Sequence, residues 1–218
     1  MSFVPIEDLR KGDGGSSHQR LPPWFKVRLQ QGPDYRDIRQ VVDDLGLHTI
    51  CEEARCPNIW ECWNNRTATF LILGDICTRR CHYCSVTTGK PSAVDHDEPL
   101  RVAQAVQAMR LKHAVITSVN RDELDDGGAS VFTETIRQIR RLNPACTVEV
   151  LIPDLEGSES ALQTVTAERP EILNHNIETV ERLFPDIRPQ GKYQRSLELL
   201  RRAKHMGMTT KSGLIIGM

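Results

Sequence analysis

Apolar and polar positions follow two different patterns along the chain. Short apolar runs such as Thr69–Leu73 have the length of buried strands, whereas Pro99–Leu111 carries apolar residues at helical spacing. The pattern predicts strands at 69–73, 114–119, 147–152, 171–174 and 209–216, and helices at 35–45, 99–111, 130–142, 158–167, 177–183 and 194–206. Such alternation implies parallel strands joined by helical crossovers. It does not by itself separate a partial barrel from an open, doubly wound sheet.

The two ends of the chain depart from this alternation. Residues 1–20 are rich in glycine and serine, which predicts a mobile N-terminal tail. Residues 21–66 form a predicted arm that begins with Pro22 and Pro23, and both prolines oppose a helix. The predicted barrel occupies residues 67–218, and no covering helix follows its final strand. Because a strand that is apolar on both faces makes a poor sheet edge, we expect the natural chain to continue beyond Met218.

Bulk composition limits the classes of protein that fit. The 218 residues are 39% hydrophobic and carry a formal net charge of -1. These values favour a folded domain and oppose broad attraction to nucleic acid or to an anionic membrane. No apolar run approaches the length of a membrane span, and the N-terminus lacks a secretory core. We therefore expect a cytoplasmic protein without nucleic-acid or membrane partners.

Six of the seven cysteines lie in two groups of three. The first triad is Cys51, Cys56 and Cys62, with gaps of four and five residues, and the second is Cys77, Cys81 and Cys84, with gaps of three and two. An odd, clustered set of cysteines favours metal ligation in a reducing compartment over disulfides. Three thiolates can hold three irons of a 4Fe–4S cluster and leave the fourth iron open, which is typical of a catalytic rather than a closed structural site.

Two other interpretations of the cysteines are open at this point. A zinc-stabilised binding module would carry paired Cys-x2-Cys knuckles, and only Cys81 and Cys84 have that gap. A two-cluster electron carrier needs four ligands for each cluster, and the alternating strands and helices would have no purpose in it. Cys146 stands apart in a predicted strand, where we expect it to be a small buried apolar residue.

Motifs around the cysteines resemble one family. Tyr83, directly before the last cysteine of the second triad, completes the signature of the radical S-adenosylmethionine (radical SAM) enzymes. Both triads, together with Pro57, Asn58, Glu61 and Trp63, closely resemble lipoyl synthase, whereas the related biotin synthase lacks the first triad. The likeness runs from Pro22 onward and includes motifs at 117–122, 126–129, 174–179 and 211–213. It implies a partial parallel β/α barrel of the radical SAM type with a cysteine-bearing N-terminal arm.

The resemblance also implies an activity. Lipoyl synthases insert two sulfur atoms into carbons 6 and 8 of an octanoyl group on a lipoyl carrier domain, in a radical reaction that uses S-adenosylmethionine. By resemblance, the second triad holds the 4Fe–4S cluster that binds S-adenosylmethionine, and the first holds an auxiliary 4Fe–4S cluster that donates the sulfur. The implied carriers are the glycine-cleavage H protein or 2-oxoacid dehydrogenase E2 subunits, and the implied electron donor is reduced ferredoxin or flavodoxin. A monomer is expected.

Polar residues at predicted strand ends receive roles from the same resemblance. Those expected to bind the cofactor are Tyr83, Thr117, Ser118, Asn174, Asn176, Glu178, Arg188 and Lys211. Those expected to orient the acyl substrate or the cofactor are Asn120, Arg121 and Asp122. Loops at strand ends often carry function, but each of these side chains could instead cap a helix or fix a loop. His175 is expected to be structural.

One family feature has no counterpart in this sequence. In lipoyl synthases the serine of a C-terminal Arg-Ser-Ser-Tyr motif supplies the fourth ligand of the auxiliary cluster. No such motif occurs here, because Arg195 and Ser196 are followed by Leu197 within a predicted helix. Either the natural chain continues beyond Met218 or another ligand completes the first cluster, and we expect the former.

Overall fold

The computed structural model describes residues 33–44, 49–53, 56 and 58–217. The predicted tail at 1–20 and the start of the predicted arm lie outside these residues. In chain order the helices are α1 (Pro33–Asp44), α2 (Ile50–Glu53), α3 (Ile59–Asn64), α4 (Glu98–Ala108), α5 (Ala129–Leu142), α6 (Glu159–Ala167), α7 (Phe184–Ile187) and α8 (Tyr193–His205). The strands are β1 (Thr67–Ile72), β2 (Ile76–Cys77), β3 (Thr87–Thr88), β4 (His113–Ser118), β5 (Thr147–Leu151), β6 (Ile172–Asn174) and β7 (Thr210–Lys211). None of the described helices combines the length and the apolar character needed to cross a bilayer.

Five parallel strands form the main sheet, in the order β1-β4-β5-β6-β7. Each strand lies beside the next one along the chain, with no reversal of order. A doubly wound sheet would show such a reversal, whereas a β/α barrel is wound in one direction. One continuous register joins Leu71, Thr117, Leu151, Asn174 and Lys211 across all five strands, so their carboxyl ends lie at one edge. The predicted partial parallel barrel is confirmed.

Alternation along the strands divides the sheet into two faces. Phe70, Ile116 and Val150 are fully buried, as are Phe132 and Ile136 of α5. The apolar positions of α5 recur every three or four residues, which places them on the one face of the helix that the core covers. The strand residues of opposite parity, which include Thr117, point into the barrel and are free to build a site.

The predicted helix at 177–183 is wrong. The described backbone instead runs through a left-handed residue, Glu178 (φ 68°), into a 3₁₀ turn at Glu181–Leu183. Glu178 donates its N–H to the carbonyl of Gly213 at 2.9 Å and accepts from the N–H of Ile215 at 2.7 Å. These bonds to a distant segment replace the local bonds that a helix requires. The helix α7 begins only at Phe184, with a proline in its first turn, where proline is tolerated.

The predicted strand at 209–216 is too long. Regular pairing ends at Lys211 because its partner strand β6 ends at Asn174, and only an isolated bridge joins Leu214 to Glu178. Ile216 is 95% exposed, so the apolar run that suggested a buried strand has no cover among the described residues.

Candidate active site

The carboxyl ends of the barrel strands open onto a cavity of about 230 Å3. Active sites of β/α barrels lie at this end of the strands. The second triad and seven predicted cofactor or substrate residues line it together: Cys77, Cys81, Tyr83, Cys84, Thr117, Ser118, Asn120, Asn176, Glu178 and Arg188. Four other predicted residues lie outside the described lining, namely Arg121, Asp122, Asn174 and Lys211.

A tight turn at Leu73 leads from β1 into the cysteine loop. Its left-handed backbone (φ 69°) costs energy unless the surroundings fix it. The Leu73 N–H donates to the buried Glu98 carboxylate at 2.7 Å, and the carbonyl accepts from Arg121 Nη1 at 2.9 Å. Arg121 also donates to the carbonyl of Ser92 at 2.7 Å. Arg121, predicted to orient substrate or cofactor, therefore braces the turn that leads into the cysteine loop.

The sulfur of Cys77 is held by hydrogen bonds at the start of that loop. It accepts from the backbone N–H of Asn120 at 3.3 Å and of Arg79 at 3.4 Å, and from Asn120 Nδ2 at 3.8 Å. The pairing of β2 with β3 closes the loop, and the N–H of Gly89 donates to the Cys77 carbonyl at 3.0 Å. Hydrogen bonds to a ligand sulfur stabilise its thiolate and tune a bound cluster.

The thiols of each triad lie close enough to affect one another's protonation. Burial raises the pKa of Cys84, and the other two thiols of the second triad raise it further. Burial likewise raises the pKa of Cys62, with smaller contributions from the rest of the first triad. All seven cysteines are free thiols. Within the described ranges no three metal-binding side chains form a site for a single ion. A cluster does not require one, because each thiolate binds a different iron.

The segment that carries the first triad reaches the cavity at one residue. Ile50, the residue before Cys51, lines the cavity wall. Behind it Trp63 is fully buried, and Tyr35 stacks on Trp60 and Trp63 with ring centroids 4.2 and 5.1 Å apart. Burial raises the pKa of Cys51, and the neighbouring Trp63 side chain offsets only part of this rise. The aromatic cluster therefore gives the first triad an apolar support next to the cavity.

The loop at 176–178 forms another wall. Arg188 Nη1 donates to the carbonyl of Asn176 at 2.6 Å. A side chain at Gly213 would place its Cβ 2.7 Å from Asn176 Oδ1, so any larger residue would require Asn176 to shift. Burial raises the pKa of Glu178, and the side chains of Asn176 and Arg188 offset only part of the rise.

Glu149, which the sequence did not single out, binds two of the predicted cofactor residues. Its carboxylate accepts from Lys211 Nζ at 2.9 Å and from Asn174 Nδ2 at 3.1 Å. Burial alone would raise the pKa of Glu149, but hydrogen bonds from His113 and Lys211 lower it to about 2. A charged residue in the middle of an apolar strand was the available signal.

Buried polar atoms around the cavity lack partners within the described structure. They are Arg79 Nη1, Ser118 Oγ, Asn120 Oδ1 and Arg188 Nε, and all four residues line the cavity. An unpaired buried polar group costs about 1–3 kcal/mol. These atoms and the three thiols fit a thiolate-ligated cluster together with a small polar cofactor.

A protein-family profile matches most of the barrel. The profile described as the radical SAM superfamily matches residues 71–218, which include the second triad and every barrel strand except the start of β1. The chain therefore belongs to the radical SAM superfamily.

The N-terminal residues identify the family within this superfamily. A second profile, described as the N-terminal domain of lipoyl synthase, matches residues 6–56. A lipoyl synthase of Rubrobacter xylanophilus is 61% identical over 216 residues, covering 98% of this chain and 67% of the relative. Two other lipoyl synthases are similar to this chain. That of Chloroflexus aurantiacus is 51% identical over 220 residues, covering 99% of this chain and 72% of the relative. That of Shouchella clausii is 55% identical over 209 residues, covering 94% and 68%. The chain belongs to the lipoyl synthase family, and the zinc-module and electron-carrier interpretations no longer apply.

Solved structures resemble the fold at much lower identity. Methylornithine synthase (PylB) superposes with a TM-score of 0.53 and 14% identity, covering 88% of this chain and 57% of that one. HydG, a maturase of the FeFe-hydrogenase, gives a TM-score of 0.55 and 16% identity, covering 84% and 47%. At this identity the likeness describes the fold alone.

Proposed function

We propose that this chain catalyses radical-mediated insertion of sulfur at carbons 6 and 8 of an octanoyl group attached to a lipoyl carrier domain. The supporting observation is that the thiols of the second triad and several unpartnered polar atoms meet at one cavity. The glycine-cleavage H protein or 2-oxoacid dehydrogenase E2 subunits would serve as carriers. Reduced ferredoxin or flavodoxin would supply the electron.

The second triad would bind a 4Fe–4S cluster with one iron open to S-adenosylmethionine. Together these groups would supply a radical that takes hydrogen from an unactivated C–H bond, a reaction that acid–base side chains cannot perform. The side chains around the cavity would bind and orient the cofactor. Thr117 donates its hydroxyl hydrogen to the carbonyl of Leu151 at 2.9 Å, which leaves its oxygen to accept from the cofactor amino group. The unpartnered Ser118 hydroxyl can do the same.

The other predicted cofactor residues fall into two groups. Asn176 and Glu178 can accept from ribose hydroxyls, and Arg188 keeps an unpartnered Nε–H for the cofactor carboxylate, near Tyr83. Asn174 and Lys211 would act from inside the barrel, where Glu149 holds them.

The predicted orienting residues differ in whether they contact the cavity directly. Asn120 lines the cavity and can meet cofactor or substrate directly. Arg121 would orient them through the Leu73 turn, and Asp122 through its ion pair with Arg79.

The first triad would hold the auxiliary cluster that donates the sulfur. The support for this proposal is that Ile50, the residue before Cys51, lines the cavity, so a consumed cluster would lie near the carbon radical. Ser196 does not offer the fourth ligand of the family, because it is fully buried on α8 and its hydroxyl bonds to His175 Nε2 at 2.9 Å. The fourth ligand would come from elsewhere.

Two triple variants test the division of labour. Alanine at Cys77, Cys81 and Cys84 is expected to abolish cleavage of S-adenosylmethionine to methionine and 5′-deoxyadenosine. Alanine at Cys51, Cys56 and Cys62 is expected to keep cleavage and stop formation of lipoyl product on an octanoylated carrier peptide. Cys146→Ala is the control, because Cys146 is a buried thiol that lies directly before β5 and does not line the cavity. Cleavage that survives in the second-triad variant would refute the assignment.

A further inference from the structure

The cysteine loop contains a buried cation that the proposed chemistry does not use. Arg79 lies between Cys77 and Cys81, and its side chain is only 3% exposed. Its Nε and Nη2 donate to the two carboxylate oxygens of Asp122, both at 2.7 Å. Its Nη2 also lies 2.8 Å from a carboxylate oxygen of Asp154, a side chain with no exposed surface.

The two carboxylates belong to different strand ends. Asp122 follows β4 and Asp154 follows β5, so Arg79 joins the cysteine loop to both. A buried charge costs several kcal/mol unless it is paired, and a planar guanidinium suits bidentate pairing. Asp154 is also 3.3 Å from Arg195 of α8. The two arginines and two carboxylates together carry no net charge. Arg79 therefore offsets carboxylates that would otherwise place negative charge beside the loop, where little water screens it.

The same residue touches the ligand set through its backbone. The N–H of Arg79 donates to Cys77 Sγ at 3.4 Å, and Arg79 lines the cavity. Its Nη1 has no partner among the described residues. The ion pairs fix the position of this residue, and with it the hydrogen bond to the ligand sulfur.

We propose that Arg79 is a positioning residue that raises the reduction potential of the cluster held by Cys77, Cys81 and Cys84, an inference that rests on the function proposed above. Reduction adds one electron from an external donor to the cluster, with no bond broken and no proton moved. A nearby positive charge in a medium of low dielectric stabilises that added negative charge. Charge and hydrogen bonds to the sulfurs are among the factors that set cluster potentials.

Opposite charge changes at Arg79 and Asp122 test this role. The full chain would be reconstituted anaerobically with iron and sulfide and titrated with dithionite under EPR, following the signal that changes when S-adenosylmethionine is added. Arg79→Gln is expected to lower the potential by an amount equal to a roughly tenfold less favourable reduction, ~59 mV for one electron. Asp122→Asn is expected to raise it, because less of the Arg79 charge is neutralised.

Arg80→Gln is the matched control. It removes the same charge from the adjacent residue, but Arg80 is exposed, so solvent and salt screen it and no shift is expected. A purely structural role would not give shifts of opposite sign. The inference is overturned if both variants shift the potential the same way, or if Arg79→Gln behaves like Arg80→Gln.

The second variant decides the outcome if Arg79→Gln does not fold. Asp122 is partly exposed and Asn keeps its shape, so Asp122→Asn alone can decide: an unchanged or lowered potential overturns the inference. If the unaltered protein gives no signal that responds to S-adenosylmethionine, the proposed function fails instead.

Discussion

Replacing Gly128 with alanine should separate two costs at the turn that carries the cysteine loop. Gly128 has a left-handed backbone (φ 90°), and a Cβ there would lie 2.3 Å from Leu73 Cδ1. Leu73 is buried, so its side chain would have to shift within the core to make room. Gly207 is the matched control, because it has nearly the same backbone (φ 84°) and nothing within 4 Å of a built Cβ.

The comparison gives the expected difference in unfolding free energy between the two variants. A side chain in the left-handed region costs roughly 1–2 kcal/mol, and both variants carry that cost. Alanine also reduces the entropy of the unfolded chain in both cases, so this term cancels. Only Gly128→Ala adds the cost of overpacking a filled core, about 1–3 kcal/mol. We therefore expect Gly128→Ala to be the more destabilising by that amount.

The assay is urea unfolding of both variants and the unaltered protein under anaerobic conditions, followed by circular dichroism. Displacement of Leu73 should also weaken its bonds to Glu98 and Arg121 and reduce cluster occupancy in Gly128→Ala alone. Equal losses of unfolding free energy in the two variants would show that the contact with Leu73 is not tight.

Two further predictions concern the walls of the cavity. Burial lowers the pKa of His175 from 6.5 to about 4. The folded protein therefore excludes a proton that the unfolded chain binds, and about 3 kcal/mol of stability, complete above pH 6.5, should be lost as the pH falls toward 4. His175→Gln should remove that slope in urea midpoints measured between pH 4.5 and 7.5, and identical slopes would contradict the assignment. Gly213→Ala should push Asn176 aside and weaken binding of S-adenosylmethionine roughly tenfold, equivalent to 1.4 kcal/mol. Calorimetry that finds unchanged affinity would reject this contact as a determinant of binding.

Local pattern was enough to predict the elements whose stability comes from one buried face. The helix at 130–142 and the strand at 147–152 fall within a residue of α5 and β5, because apolar spacing and burial agree there. Cysteine spacing likewise singled out three residues that the structure brings to the cavity, Cys77, Cys81 and Cys84. The helix at 177–183 failed because Glu178 donates to Gly213 and accepts from Ile215, and these bonds to a segment more than thirty residues away override local preference.

Partners of charged side chains could not be read from the sequence for a similar reason. Arg79, Asp122 and Asp154 come from three loops, and only the parallel order of the strands brings them together. The sequence showed Asp122 as a polar residue at a strand end, but not that it faces a buried guanidinium. Glu149 likewise reaches Lys211 only through the register of β5, β6 and β7.

The most direct test of the account traces the inserted sulfur. The protein would be reconstituted with isotopically labelled sulfide, freed of excess sulfide, and given an octanoylated carrier peptide, S-adenosylmethionine and reductant in unlabelled medium. The variant with alanine at Cys51, Cys56 and Cys62 keeps label only at the second triad and serves as the control. We predict labelled sulfur in the lipoyl product of the unaltered protein, at most one product per protein, and no product from the control. Unlabelled product, or many turnovers with the first-triad cluster intact, would contradict the proposed sulfur donor.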